Sequence, residues 1–201
     1  IYEKPLLTML MSFEPDQIVS PIYVETPELD NPVFLGSKAF FLKVLYQKGF
    51  PIPPGYVLST ELFRHRPIVK REGVLRHDVL KLIRTQMHKL EKQTGRQFGN
   101  PQNPLLLSVR SGTAISMPGA MNTFLNVGMN DEIAEKMSQQ PNLGWTAWDS
   151  YRRFLQSWGM ALGITRDVFD NVMTHYKDKY QIEKKLEFTN QQMREVALGY
   201  K

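Results

Sequence analysis

The chain has 201 residues, a net charge of +5, 42% hydrophobic and 22% charged residues, an ordinary globular balance in a length that suits one sizeable domain or two small ones. It has no cysteine, which excludes a disulfide framework and thiol chemistry, and no apolar run approaches the ~18 residues of a membrane span. The positive charge suits phosphate ligands or nucleic acid, but the basic residues are scattered among acidic ones, and the densest cluster, Arg64 to Arg71, reads as a solvated face.

Residues 1–20 carry little signal beyond the apolar, Met-rich run from Thr8 to Phe13. No signal peptide is visible. The chain begins at Ile1 and runs to Lys201 without an evident end, so it reads as a piece of a longer protein. Ile22-Tyr23-Val24 is rich in β formers and predicts a first strand. Ser37 is expected to cap a helix from Lys38 to Lys48, with Phe41, Val44 and Leu45 on one face and Gly49 at the stop. That puts Lys38 in the first turn, where a cation opposes the helix macrodipole. An anion bound at the helix mouth relieves the conflict; a plain surface lysine is the alternative. Pro51 to Gly55 cannot be helical, because its prolines lack donors and bias their neighbours to extended geometry. Tyr56 to Leu58 follows as a strand, then a short helix capped by Ser59 or Thr60 that ends before Pro67. From Asp78 to Thr94 the helical period is clear, with Val79, Leu82, Ile83, Met87 and Leu90 on one face and Gly95 beyond. His77 and His88 lack the i, i+4 spacing of a metal pair, and all four histidines read as structural or surface residues.

The central stretch runs from Leu105 to Asn130. Leu105 to Val109 reads as a strand buried on both faces that delivers Arg110 to its rim. A Ser/Gly/Thr turn and a Met-Pro-Gly loop follow, then Thr123 leads into a second apolar run. Small residues let backbone N–H groups approach a ligand, and with an arginine and a hydroxyl they suit a polyphosphate; a simple turn between strands is the alternative. Beyond it the pattern is helical. Asn130 caps a helix with Asp131 and Glu132 in its first turn. Thr146 to Leu162 carries a stripe of Trp148, Tyr151, Leu155, Trp158 and Leu162 that reads as packing. Thr165 starts a helix through Tyr176, and the last helix has a capping box, Thr189 with Gln192, and a hydrophobic staple, Phe188 with Met193.

Four regions, the central stretch and three others, carry a family resemblance. Ser108-Val109-Arg110-Ser111-Gly112, then Ser116-Met117-Pro118-Gly119-Ala120-Met121-Asn122-Thr123, then Leu125-Asn126-Val127-Gly128-Met129-Asn130-Asp131 closely resemble the N-terminal nucleotide-binding segment of pyruvate phosphate dikinase. Leu35-Gly36-Ser37-Lys38-Ala39 resembles that family's glycine-glycine-lysine-glycine opening, and Gly49 to Tyr56 its G-x-P-x-P-x-G-F turn. Asp149-Ser150-Tyr151-Arg152-Arg153-Phe154 is also similar. The resemblance covers about residue 20 to the end.

Composition and pattern give an α+β fold, a few short strands with helices and then an all-helical subdomain; the resemblance makes this a partial ATP-grasp-type nucleotide-binding domain. The expected organisation is an extension over 1–20, an α+β part over 21–128 and the helical subdomain over 129–201. It implies ATP with magnesium as ligands, the metal-binding acidic residues lying on a lobe outside these residues. The implied reaction phosphorylates a histidine on a swivelling domain of the same full-length chain, and that histidine passes phosphate to pyruvate to make phosphoenolpyruvate. None of the histidines here matches the carrier. Lys38 and Arg110 are the expected catalytic residues. Both bind nucleotide with Thr123 and the backbone of Gly119, Ala120 and Met121. The segment alone is expected to be inactive, the location cytoplasmic, and the full-length protein a homodimer, with no nucleic acid and no membrane among its partners. Three departures stand out: Ser37 and Ala39 replace family glycines, and Asn122 replaces an aspartate. A phosphoenolpyruvate synthase-like enzyme, a non-catalytic module that kept the fold, and a nucleic-acid binder motivated by charge are the alternatives.

Overall fold

In the computed structural model, residues 18–64, 70–71, 74–75, 77–112 and 123–201 are described. They fall into two compact units, one of residues 18–94 with Gly112 and one of residues 95–111 with 123–201.

The first unit starts from a buried pair, Ile18 and Val19. Strand β1 (Val19–Pro21) pairs antiparallel with β2 (Tyr56–Leu58), Val19 opposite Leu58. The expected strand at Ile22-Tyr23-Val24 is instead a turn, closed by Val24 N–H to Pro21 O. Strand propensity lost to burial there, because the pairing goes to the residues packed inside. Asn31 caps the short helix α1 (Pro32–Leu35), its Oδ1 accepting from Val33 and Phe34 N–H. Helix α2 (Ser37–Gln47) follows at once, with Gly36 and not Ser37 in the cap position. Its expected apolar face is largely turned outward: Phe41 and Leu45 are exposed, and the one buried residue of α2 is Lys43. Residues 51–55 are irregular as expected, and Ile22 N–H donates to Gly55 O. Helix α3 (Glu61–Arg64) and the antiparallel pair β3 (Lys70–Arg71) and β4 (Val74–Leu75) lead to α4 (His77–Thr94), which buries Val79, Gln86 and Leu90. His77, His88 and His175 are exposed.

The second unit is built on helix α6 (Gly144–Ala161). Strands β5 (Leu107–Arg110) and β6 (Thr123–Val127) form a two-stranded antiparallel sheet, and β6 packs on α6. The expected doubly buried strand is therefore corrected. Leu105 is buried just before the strand, whereas Val109 is 46% exposed, since a two-stranded antiparallel sheet covers only one face. Helices α5 (Asp131–Ser138) and α8 (Asn190–Gly199) flank α6, with α7 (Arg166–Tyr180) between α6 and α8 in sequence. The core gathers Met129, Ile133, Trp148, Tyr151, Phe169, Phe188, Met193 and Val196. The stripe along α6 packs at Trp148 and Tyr151 but ends exposed at Trp158 and Leu162.

The helix starts follow the sequence chemistry. Asn130 Oδ1 accepts from Ile133 N–H at 2.8 Å. The Thr189–Gln192 capping box is formed in both directions, a device that contributes about 1 kcal/mol, and Phe188 and Met193 are both buried as a staple requires. Thr165 occupies the cap of α7 without a side-chain bond. The chain is thus α+β, with a run of helices after β6. No helix among the described residues is long and apolar enough to cross a membrane.

Candidate functional site

Two sets of predicted site residues fall within the described chain, one in each unit. In the first, Gly36 joins α1 to α2 with φ 77° and ψ 150°, a region reserved for glycine because any Cβ clashes there. This elbow lets one helix stop and the next begin without a linker. The first backbone bond of α2 is Phe40 N–H to Gly36 O, so the amides of Lys38 and Ala39 precede it and lie at the helix mouth. Lys38 is exposed in that first turn and has no carboxylate partner among the described residues. Gly112 belongs to the same unit, and a Cβ built on it would lie 3.8 Å from Leu35 O and 3.9 Å from the Gly36 Cα. Within this unit Gly112 thus lies at ordinary contact distance from the elbow.

In the second unit, Arg110 ends β5 directly opposite Thr123 at the start of β6. Opposed residues project from the same face of a sheet, as do residues two apart on one strand. Arg110, Thr123 and Ser108 therefore share a face, and Arg110 Nε donates to Ser108 Oγ at 3.2 Å. Phe124 projects from the other face onto α6, its ring 5.6 Å from that of Trp158. Arg110 and Thr123 are both exposed, and Arg110 has no carboxylate partner among the described residues. Gly119, Ala120 and Met121 lie outside the described residues.

Other residues of the resembling blocks hold the scaffold. Asn126 adopts φ 58° where the β5–β6 register shifts; asparagine is among the few residues that tolerate this conformation. Gly128 has φ 107°, and a Cβ there would meet the Phe98 ring at 2.8 Å and Leu105 O at 3.1 Å. Gly128→Ala is expected to lower the stability of this unit by about 2 kcal/mol through left-handed strain and overpacking; a denaturant midpoint equal to the parent's contradicts this account. Asp149 lies buried at the centre of a cationic cluster. Its Oδ1 accepts from Arg152 Nη2 at 2.8 Å and Lys185 Nζ at 3.1 Å, and its Oδ2 from Arg153 Nε at 2.9 Å. Tyr151 OH donates to Asp131 Oδ1 at 2.7 Å; burial first, then this carboxylate, pushes the phenol pKa up.

Sequence reasoning missed Lys43. Its ammonium, 2% exposed, donates to Ser20 Oγ at 2.8 Å, Thr26 Oγ1 at 2.9 Å and Asp30 Oδ1. Burial alone would raise the Asp30 carboxyl, but its bonds from Lys43 and from the Thr26 amide and hydroxyl hold it below its ordinary value. The available signal was a lysine mid-helix at a position where Phe41 and Leu45 flank it on the wrong side. Its partners are 13, 17 and 23 residues away in sequence, beyond the reach of any local pattern.

Comparison with known proteins supplies the family. No family model matches the chain. Curated relatives do. A pyruvate, phosphate dikinase of Entamoeba histolytica is 34% identical over 83% of this chain and 19% of its own length. The enzyme of that name from Rickettsia bellii is 36% identical over the same shares. Zea mays pyruvate, phosphate dikinase 1, chloroplastic, is 35% identical over 83% of this chain and 17% of its own length. The chain thus spans about a fifth of the length of the curated relatives it matches. All three relatives are kinase-type enzymes by name, and the α+β chain is homologous to one segment of them. Over that segment it belongs to the pyruvate, phosphate dikinase family.

Proposed function

We propose that this chain is the ATP-binding segment of a pyruvate phosphate dikinase-like enzyme, the first part of an ATP-grasp-type domain. The observation that supports it most directly is the mouth of α2: a glycine-only elbow at Gly36, amides ahead of the first helical bond, and Lys38 in the first turn with no carboxylate among the described residues. A lysine against the positive end of a helix is favourable only when an anion neutralises both. Homology to dikinases supports a nucleotide polyphosphate as that anion.

In this reading ATP supplies the transferred phosphoryl groups, and the chain's own residues bind and orient them. Phosphoryl transfer asks for positioning and charge neutralisation more than covalent chemistry. Arg110 holds two phosphate oxygens with its planar fork, Lys38 acts as a point charge, and Thr123 donates its hydroxyl. The resemblance adds the backbone N–H groups of Gly119, Ala120 and Met121 as further phosphate donors. The acceptor is a histidine on a swivelling domain of the full-length protein, which passes phosphate to pyruvate. In this reading magnesium is held by acidic residues of a further lobe of the full-length enzyme, as the resemblance implies, and no step is assigned to it through the residues named here.

Lys38→Ala in the full-length protein tests the reading. Its expected effect is a rise of about tenfold or more in the Kd for ATP, the scale of one charge-assisted phosphate contact. Calorimetry that returns the parental Kd removes Lys38, and with it the helix-mouth argument.

A further inference from the structure

The Lys43–Asp30 pair brackets the segment that carries the Gly36 elbow and Lys38. Asp30 lies in the turn closed by Leu29 and Asp30 N–H on Thr26 O. Asn31 then caps α1, Gly36 turns the chain, Lys38 follows, and Lys43 returns to Asp30 from the next turns of α2. Residues 31–42 are thereby closed into a loop whose two ends are tied inside the protein. Nothing else on α2 is buried as Lys43 is, and Phe41 and Leu45 face outward. Lys43 Nζ also donates to the Ser20 hydroxyl on β1, so one ammonium joins strand, turn and helix. All three of its protons are used, and Thr26 further ties the network through Oγ1 to Asp30 Oδ1 at 2.7 Å and N–H to Oδ2 at 2.9 Å.

A buried ion pair is seldom the most stable solution at its site; apolar residues of similar volume commonly do as well or better. What it supplies is direction: three donors and three acceptors fix the rotation and the axial position of a helix, where a greasy face lets it slide. Lys38 lies five residues from Lys43 on the same rigid helix, about 7.5 Å along its axis.

We propose that Lys43 and Asp30 are positioning residues for the anion-binding mouth of α2, setting where Lys38 and the Gly36 elbow present themselves to a polyphosphate. The inference rests on the ATP-binding reading above. Neither residue touches the ligand; both act through Lys38 and the α2 amides.

The test uses full-length protein, magnesium-ATP as the probe, and calorimetric Kd with thermal melting alongside. Lys43→Met keeps the aliphatic stem and drops the ammonium. Its expected result is a rise of about tenfold or more in Kd, the scale on which small misplacements act, measured at a temperature where the variant is folded. In the Lys38→Ala background the same substitution should raise Kd by a smaller factor than in the parent, because residues that act as one unit are not additive. Ser20→Ala, which removes one acceptor and leaves the ion pair, is the milder second variant, with a rise of about threefold expected and the same reduction of effect in the Lys38→Ala background. Should Lys43→Met be unfolded, Ser20→Ala decides alone. A lowered melting temperature with parental Kd, or full additivity with Lys38→Ala, overturns the proposal. If Lys38→Ala itself leaves Kd unchanged, the ATP-binding reading has failed instead.

Discussion

Replacing Arg110 by alanine in the full-length protein should abolish ATP-dependent phosphorylation of the carrier histidine, with a rate loss of about 10³-fold or more, the range in which a transition-state arginine acts on a transferring phosphoryl group. The structure makes the cost to folding small. Arg110 is exposed at the end of a two-stranded sheet, and the one side-chain hydrogen bond it makes among the described residues is to Ser108. Exposed substitutions of this kind stay within about 0.5 kcal/mol. Activity and stability should therefore separate cleanly: a melting curve like the parent's, with phosphorylation gone. Arg110→Lys should be nearly as inactive, because a point charge cannot replace a planar two-pronged donor. Radiolabel transfer from ATP to the protein measures both variants. Near-normal phosphorylation of Arg110→Ala would falsify the assignment of this strand end to phosphate chemistry.

Local chemistry made much of this chain legible. Helix α4, the Asn130 cap and the Thr189 box follow from residues within one or two turns of each other, and they form as the spacing requires. The pairing of Arg110 with Thr123 was only half visible: both were candidates, but their register depends on how a loop closes. Misreadings cluster where burial is decided at long range. Ile22 to Val24 has stronger strand propensity than Val19 to Pro21, yet the latter pairs with β2. Leu105 to Val109 looks like an interior strand, yet its last residues lie on the open side of a two-stranded sheet. Lys43 is the sharpest case. A lysine inside a helix reads as solvent-facing, because the penalty for burying it is lifted only by partners that three distant segments supply. The Asp149 block shows the converse. Its resemblance to the dikinases reflects scaffold as much as chemistry, for its carboxylate braces α6 internally and ties it to the 3-10 turn at Lys185.

That carboxylate sets the second large expectation. Asp149→Asn should destabilise the helical unit by about 3–5 kcal/mol, the cost of leaving a buried partner charge uncompensated. The Asp149 and Arg152 side chains are 6% and 8% exposed, so water cannot replace the lost carboxylate. Arg152 retains Gln156 Oε1 at 3.0 Å and the Tyr200 ring at 5.2 Å, neither of which is anionic. Lys185, bonded to both carboxylate oxygens, loses the anchor that ties the 3-10 turn Lys185–Glu187 to α6. At about 4–8 °C per kcal/mol for a domain of this size, the helical circular-dichroism transition should fall by roughly 15 °C or more. The exposed pair Arg166–Asp170, at 3.5 Å and with both partners more than half exposed, is the control: Arg166→Ala should change stability by less than about 0.5 kcal/mol. Acid should separate the parent from Asp149→Asn as well. Burial alone would raise the Asp149 carboxyl, but Arg152 and Lys185 outweigh it and hold its pKa below the ordinary value. A carboxyl lowered in the folded state contributes stability above its unfolded pKa and loses it as pH falls through the folded one. The parent should therefore lose stability steeply on acidification below the ordinary carboxylate range, and the variant, already without that contribution, should lose less over the same interval. Parallel acid limbs with equal melting temperatures at neutral pH would mean that the cluster around Asp149 does not hold α6 to the rest of its unit.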